Sequence, residues 1–297
     1  MPNTQKRTPP IRPGEGTGSR AGNAPAPAPV TALDVADLAG VVYSSGKVFD
    51  GLRTGRLDTE NFLRSGSLEG ITSRSDLALL QDLRDVSLFI ITNRESPINS
   101  AYVRAVNAQI TRSGPLNPGQ YRTANQQIGV TTQYGRHEPQ SMSDASLQRI
   151  IDFAMANTNP REQALELFVQ LAKAQPFEDG NKRTALFVAN SVLIREPEPE
   201  MLVIPVHENS ADENSADENN LNGAARFNDL LARAYVLGEH EGVKDLLRTE
   251  GFSKHNSARE RNKAARMNDH PELRSMKLDR HGITSDEHDE HDGPQLG

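Results

Sequence analysis

The stretch Ala174-Gln175-Pro176-Phe177-Glu178-Asp179-Gly180-Asn181-Lys182-Arg183-Thr184-Ala185-Leu186 joins one helical pattern to another, and its reading decides the fold. On its N-terminal side, Pro160 to Ala174 has a helix-compatible start and apolar residues at Ala164, Phe168 and Leu171, a spacing that paints one face. On its C-terminal side, Thr184 to Ile194 is apolar on nearly every side. A helix without a polar face must be surrounded by other elements, so the spacing predicts a central buried helix there. Between the two, Gly180-Asn181 permits a sharp turn that exposes successive backbone N–H groups at a helix start, where unpaired donors and the helix dipole favour an anion. Lys182 and Arg183 add positive charge beside those donors, and Asp179 offers a hard oxygen suited to a magnesium ion bridging phosphates. Nucleotide binding is one reading of this arrangement. The other is a plain turn followed by a solvated first helical turn.

The full string QPFEDGNKRTAL resembles, without a gap, the Fic (Fido) family signature H-P-F-x-[D/E]-G-N-G/K-R-x-x-R. The resemblance implies an all-α helical bundle carrying a small β-hairpin flap, and transfer of AMP from ATP to a hydroxyl of a target protein. It also implies roles: ATP and Mg2+ as cofactors, Asp179 holding the metal, and Gly180, Asn181, Lys182 and Arg183 around the phosphates, with Phe177 anchoring the loop. Gln175 stands at the position of the family's catalytic histidine, and an amide is no base near neutral pH. Losing a positioned general base costs roughly 10² to 10⁴ in rate. Leu186 stands where AMP-transferring members carry a second arginine, and Lys182 stands in place of a glycine. The ending Lys-Arg-Thr-Ala-Leu resembles the Doc branch, toxins that phosphorylate a translation factor. Three readings therefore stay open: an AMP-transferase of slow or altered chemistry, a nucleotide-binding pseudoenzyme, and a Doc-like toxin kinase.

Two further segments carry the resemblance. Leu63 to Gly70 contains Ser65-x-x-x-Glu69-Gly70, which resembles the inhibitory [S/T]-x-x-x-E-[G/N] helix that some Fic proteins place ahead of the core. The resemblance implies an inhibitory helix over 63–70 in which Ser65, Glu69 and Gly70 carry autoinhibition, with Glu69, its usual arginine partner absent, either repelling the triphosphate or turning to Lys182 or Arg183. A surface helix is the alternative. Gly119 to Pro139 reads as a short hairpin from Gly129 and the β-branched Val130-Thr131-Thr132. It resembles the Fic flap, with a G-x-x-R at Gly119 and Arg122, which implies a target protein docked on the 119–139 flap by strand addition. His137, beside Glu138-Pro139, reads as a surface or turn-packing residue and is left outside the site.

Helical periodicity also covers 34–48, interrupted at Ser44-Ser45-Gly46, then 73–93, 100–111, 143–156, 221–236 and 239–247, while Met201 to Val206 reads as extended. With 297 residues and 35% hydrophobic content the expectation is a single domain with tails: a disordered tail over 1–33, a Fic/Fido domain over 34–250, and a charged flexible tail over 251–297. The acidic pentamer Glu208 to Asp212 is repeated as Glu213 to Asp217 and reads as a solvated loop. There is no cysteine, so disulfides and thiol chemistry are excluded, and a net charge of −7 argues against a general nucleic-acid binder. No apolar run approaches a membrane span or a signal-peptide core, so the expectation is a cytoplasmic protein with no membrane partner. A homo-oligomer stays open beside the target protein.

Overall fold

The computed structural model describes residues 33–126, 128–206 and 223–254. The readings of the N-terminal tail up to residue 32, of the acidic repeat and of the tail beyond residue 254 lie outside the described residues. From the N-terminal side, a 3-10 turn (Val35–Leu38) leads into α1 (Ala39–Asp50), α2 (Arg56–Ser65), α3 (Arg74–Thr92) and α4 (Ser100–Asn107). A hairpin follows, β1 (Val130–Thr132) and β2 (Gly135–His137), then α5 (Asp144–Met155), α6 (Pro160–Ala174) and α7 (Asn181–Leu193). The last elements are β3 (Glu200–Leu202), α8 (Gly223–Val236), α9 (His240–Glu250) and β4 (Phe252–Lys254). The architecture is an all-α bundle with a small hairpin flap.

Local chemistry sets the helix starts. Ser73, Asn99 and Ser143 each accept a backbone N–H two or three residues on, and Asn159 does the same ahead of Pro160, whose missing N–H costs nothing at a first helical position. The apolar α7 is the axis: every residue from Arg183 to Leu193 is buried, and α1, α3, α4, α6 and β3 pack around it. Phe168, Phe177, Phe187 and Phe227 are the largest fully buried side chains, and removing one would cost about 3–5 kcal/mol.

Several boundaries differ from the sequence reading, each for a tertiary reason. α1 runs unbroken through Ser44, Ser45 and Gly46. Ser44 donates to Val41 O and accepts from Ile204 N, and a Cβ at Gly46 would stand 2.9 Å from Leu52 Cδ2, so glycine here serves close packing. α4 stops at Asn107 because the fully buried Asp82 of α3 draws the N–H groups of Thr111, Arg112 and Ser113 onto its carboxylate. α7, by contrast, begins at Asn181, at the helix start read from the Gly180-Asn181 turn. β4 pairs with β3 in the register Leu202↔Phe252, carrying the fold to Lys254, beyond residue 250.

The largest correction concerns residues 63–70, which do not form one helix: only 63–65 are helical, as the end of α2. Ser65 is the last residue of α2, Gly66 closes it at φ 76°, and Glu69 lies in the following turn. Gly70 has φ 75°, and a Cβ there would stand 2.1 Å from Oδ2 of Asp58 in the first turn of α2, so this glycine answers to that close approach.

Candidate functional site

The loop between α6 and α7 is closed by its own residues. Gln175 caps α6 at φ 43°, the only described non-glycine residue with positive φ; its N–H bonds Leu171 O and its C=O accepts from Arg122 Nε at 2.9 Å. Phe177 is fully buried and stacks on Tyr121 with ring centroids 5.9 Å apart. Asn181 then reaches back: its Oδ1 accepts the Phe177 N–H at 2.8 Å and its Nδ2 donates to Phe177 O at 2.9 Å. The Asn181 side chain is thus a staple across the loop. Gly180 lies at φ 73°, where a Cβ would also meet Ile110 Cδ1 at 2.7 Å. Asn107 bridges the loop to the core through Asp179 O and Thr184 Oγ1.

The first helical bond of α7 runs from Thr184 N to Gly180 O at 2.8 Å, so the N–H groups of Asn181, Lys182 and Arg183 precede it. Beside these donors stand the two cations. The Arg183 side chain is only 3% exposed and is held on three sides: Nη1 donates to Ser113 Oγ at 2.8 Å, Nη2 lies 3.5 Å from Asp179 Oδ1, and Nε lies 3.5 Å from Asp50 Oδ2. Ser113 is itself fixed by Asp82, which accepts its N–H at 2.7 Å and its hydroxyl at 2.8 Å. Burial by itself would raise the Asp82 carboxyl, but the hydrogen bonds from the Ser113 hydroxyl and from the backbone of Arg112, Ser113 and Thr111 bring it below its ordinary value. Lys182 Nζ lies 5.0 Å from the Phe49 ring centroid, and desolvation lowers its pKa against the pull of Asp50.

Asp50 is the residue beside the loop that the sequence reading missed. It is the last residue of α1, with Gly51 following at φ 68°, and its side chain keeps 25% of its surface although the helix end around it is open. Burial raises its carboxyl above the usual range, Arg183 opposes that rise, and Asp179 adds to it. A carboxylate at a helix C-terminus also works against the helix dipole. The signal available in the sequence was an acid-glycine pair ending an apolar helical pattern, a carboxylate set against the helix dipole. Glu69, by contrast, is exposed, and among the described residues the carboxylates paired with Arg183 are those of Asp50 and Asp179. The structure therefore does not bring Ser65, Glu69 and Gly70 to the loop.

The flap joins the loop at its base. Arg122, 5% exposed, donates to Gln175 O, Pro139 O and Gln140 O, and Tyr121 bridges Phe177 in antiparallel fashion. Gly119 sits at φ 74°, where a Cβ would meet Ala108 Cβ at 2.8 Å. His137 bonds Lys173 O through Nε2 at 2.7 Å and lies against Tyr235, a packing role. Leu186 is fully buried, so no guanidinium reaches the loop from that turn. Among the described residues no three His, Cys, Asp or Glu side chains cluster as a metal cage, and no helix is long and apolar enough to cross a membrane.

The Fic/DOC family model matches residues 97–193, a span that holds α4, the flap, α5, α6, the loop and α7. None of the curated proteins compared with the chain is similar to it. Among solved structures, Fic-1 from C. elegans superposes with a TM-score of 0.50 at 16% identity, over 77% of this chain and 62% of that one. The chain thus spans less than two thirds of that relative. A Fic domain containing signaling protein from Bacteroides thetaiotaomicron gives a TM-score of 0.50 at 17% identity, over 74% of this chain and 89% of that one. At these identities the likeness is one of fold. Over residues 97–193 the chain is similar to the Fic/DOC family, and its fold is that of Fic-domain structures.

Proposed function

We propose that the loop from Gln175 to Arg183 seats the triphosphate of ATP and that the chain is a Fic-type protein AMP-transferase slowed by the absence of a base. The observation that carries this reading is the rigidly held Arg183 beside the unbonded N–H groups that open α7. A guanidinium fixed by Ser113 and two carboxylates needs little reorganisation to meet a phosphate. Asp179 fits a magnesium ion: its Oδ1 is engaged by Gly180 N–H and Arg183, while its side chain stays 56% exposed. Magnesium accepts such a sparse protein share when phosphate oxygens and waters complete its shell, and a bound ion would neutralise phosphate charge.

In the proposed reaction a target hydroxyl oxygen bonds to the α-phosphorus, the bond to the bridging oxygen of the β-phosphate breaks, and pyrophosphate leaves. The Gln175 carboxamide orients the hydroxyl without taking its proton, which passes to water. Phosphoryl-type transfer depends mainly on positioning and charge stabilisation, so a scaffold without its base retains part of the rate. Asp50 fits an autoinhibitory part, since its negative charge beside Arg183 competes with phosphate for the same guanidinium. The buried Leu186 favours a second reading, a Doc-like phosphoryl transferase that needs no second arginine.

The test is binding followed by labelling. Millimolar ATP with magnesium should raise the melting temperature by mass action, by an amount equivalent to about 2.7 kcal/mol at a hundredfold excess over Kd, and Arg183→Ala should remove the rise. No rise in the unmodified chain would end the nucleotide reading. Cell extract incubated with α-labelled or γ-labelled ATP then separates AMP transfer from phosphoryl transfer, and incorporation of neither label points to a binding protein.

A further inference from the structure

The flap has a second attachment that the proposed chemistry does not use. Its tip, Gln133-Tyr134, reaches α8, where both side chains converge on one carboxylate oxygen. Tyr134 donates its hydroxyl hydrogen to Asp229 Oδ1 at 2.6 Å, and Gln133 donates its amide to the same atom. Arg233, one turn along α8, holds the other oxygen at 3.2 Å and lays its guanidinium 4.9 Å from the Tyr134 ring centroid. The tyrosine is therefore gripped at its hydroxyl by an anion and on its face by a cation.

The hairpin is only three residue pairs long, from Val130↔His137 to Thr132↔Gly135. Two strands of that length do not hold their own orientation in water. Position must come from the attachments: Arg122 and His137 at the base, the latter bonded to Lys173 O and packed on Tyr235, and the Asp229 group at the outer end. Geometry separates their roles. The base fixes where the flap starts, and the tip fixes the angle at which its edge passes the loop.

We infer that Asp229 is a positioning residue, a clasp through which α8 sets the line of the flap edge and so the approach of an extended acceptor segment to the nucleotide. The inference rests on the transfer reading for its purpose and on the clasp geometry for its existence, so the two are tested apart. Hydrogen exchange on the full chain, read on peptides covering 130–137, should run roughly tenfold faster in Tyr134→Phe and in Asp229→Asn, with peptides from α6 and α7 unchanged. Tyr134→Phe removes one half-exposed oxygen and leaves α8 intact, so it decides the matter even where Asp229→Asn disturbs the helix. In a Gln175→His background, incorporation from α-labelled ATP into extract proteins should fall with each clasp variant, while the melting-temperature rise with ATP and magnesium stays. Unchanged flap exchange in both variants overturns the clasp. Faster exchange with undiminished labelling overturns the positioning role. Faster exchange with no labelling in any form overturns the transfer reading, and the positioning role with it, while upholding the clasp.

Discussion

Two acid-glycine pairs, Asp50-Gly51 and Glu69-Gly70, sit near helix ends upstream of the loop, and their fates differ. Glu69-Gly70 carries the letters of an inhibitory motif yet stands in an exposed turn whose glycine is required by the nearby Asp58. Asp50-Gly51 lacks those letters, but its carboxylate lies 3.5 Å from Arg183. The glycines are alike in conformation, at φ 68° and 75°, so the difference lies in what each helix end faces. α1 packs against α7 and delivers its last residue to the cations, whereas α2 ends at Ser65, before its acid is reached. A short motif with a glycine records a helix ending. What the ending is aimed at is a property of packing.

This contrast can be broken by experiment. The largest expected effect supplies the signal for the rest: Gln175→His should raise AMP transfer by up to roughly 10² to 10⁴, measured as label incorporated from α-labelled ATP. No gain would mean that Leu186 or the target limits the chemistry. In that background the two acids are compared directly. Asp50→Asn should tighten ATP binding by roughly tenfold in calorimetry, because a negative charge beside the phosphate seat is removed. Glu69→Gly should leave affinity and labelling unchanged, with stability within about 0.5 kcal/mol. The reverse result would restore the motif reading of Glu69.

The smallest effect probes Arg183 from its other side. Asp82 has its folded carboxyl below the ordinary value, so its contribution is complete above the unfolded pKa of about 3.9 and fades as pH falls through that value towards the folded one. Acid should therefore loosen the Ser113 clamp. The stability gap between the unmodified chain and Asp82→Asn should shrink from about pH 5 to about pH 3 in thermal melts, and a gap that is constant with pH would remove Asp82 from this role.

Much of this architecture was legible in the sequence because its signals are local. The loop string, the apolar α7 and the β-branched run of the flap each declare themselves within a dozen residues. The supports of the site do not. Asp82 lies 31 positions from Ser113, Ser113 lies 70 from Arg183, and Tyr134 lies 95 from Asp229, so only the folded chain brings them together. The break expected at Ser44-Ser45-Gly46 failed for the same reason: polar and small residues end a helix in isolation, but here Leu52 and Ile204 pack on or bond to them. The staple made by the Asn181 side chain was not legible either, because its partner, the backbone of Phe177, meets it only once the loop has turned.

Gln175 occupies a left-handed backbone position at φ 43°, a region in which histidine is found several times more often than the average side chain. Its neighbours bond the backbone of residue 175 rather than its side chain, so the bonds that hold this position do not depend on which side chain it carries. Codons for glutamine and histidine differ only in their third base. In evolutionary terms, a histidine can enter position 175 by a single point mutation, into a backbone conformation that histidine already favours.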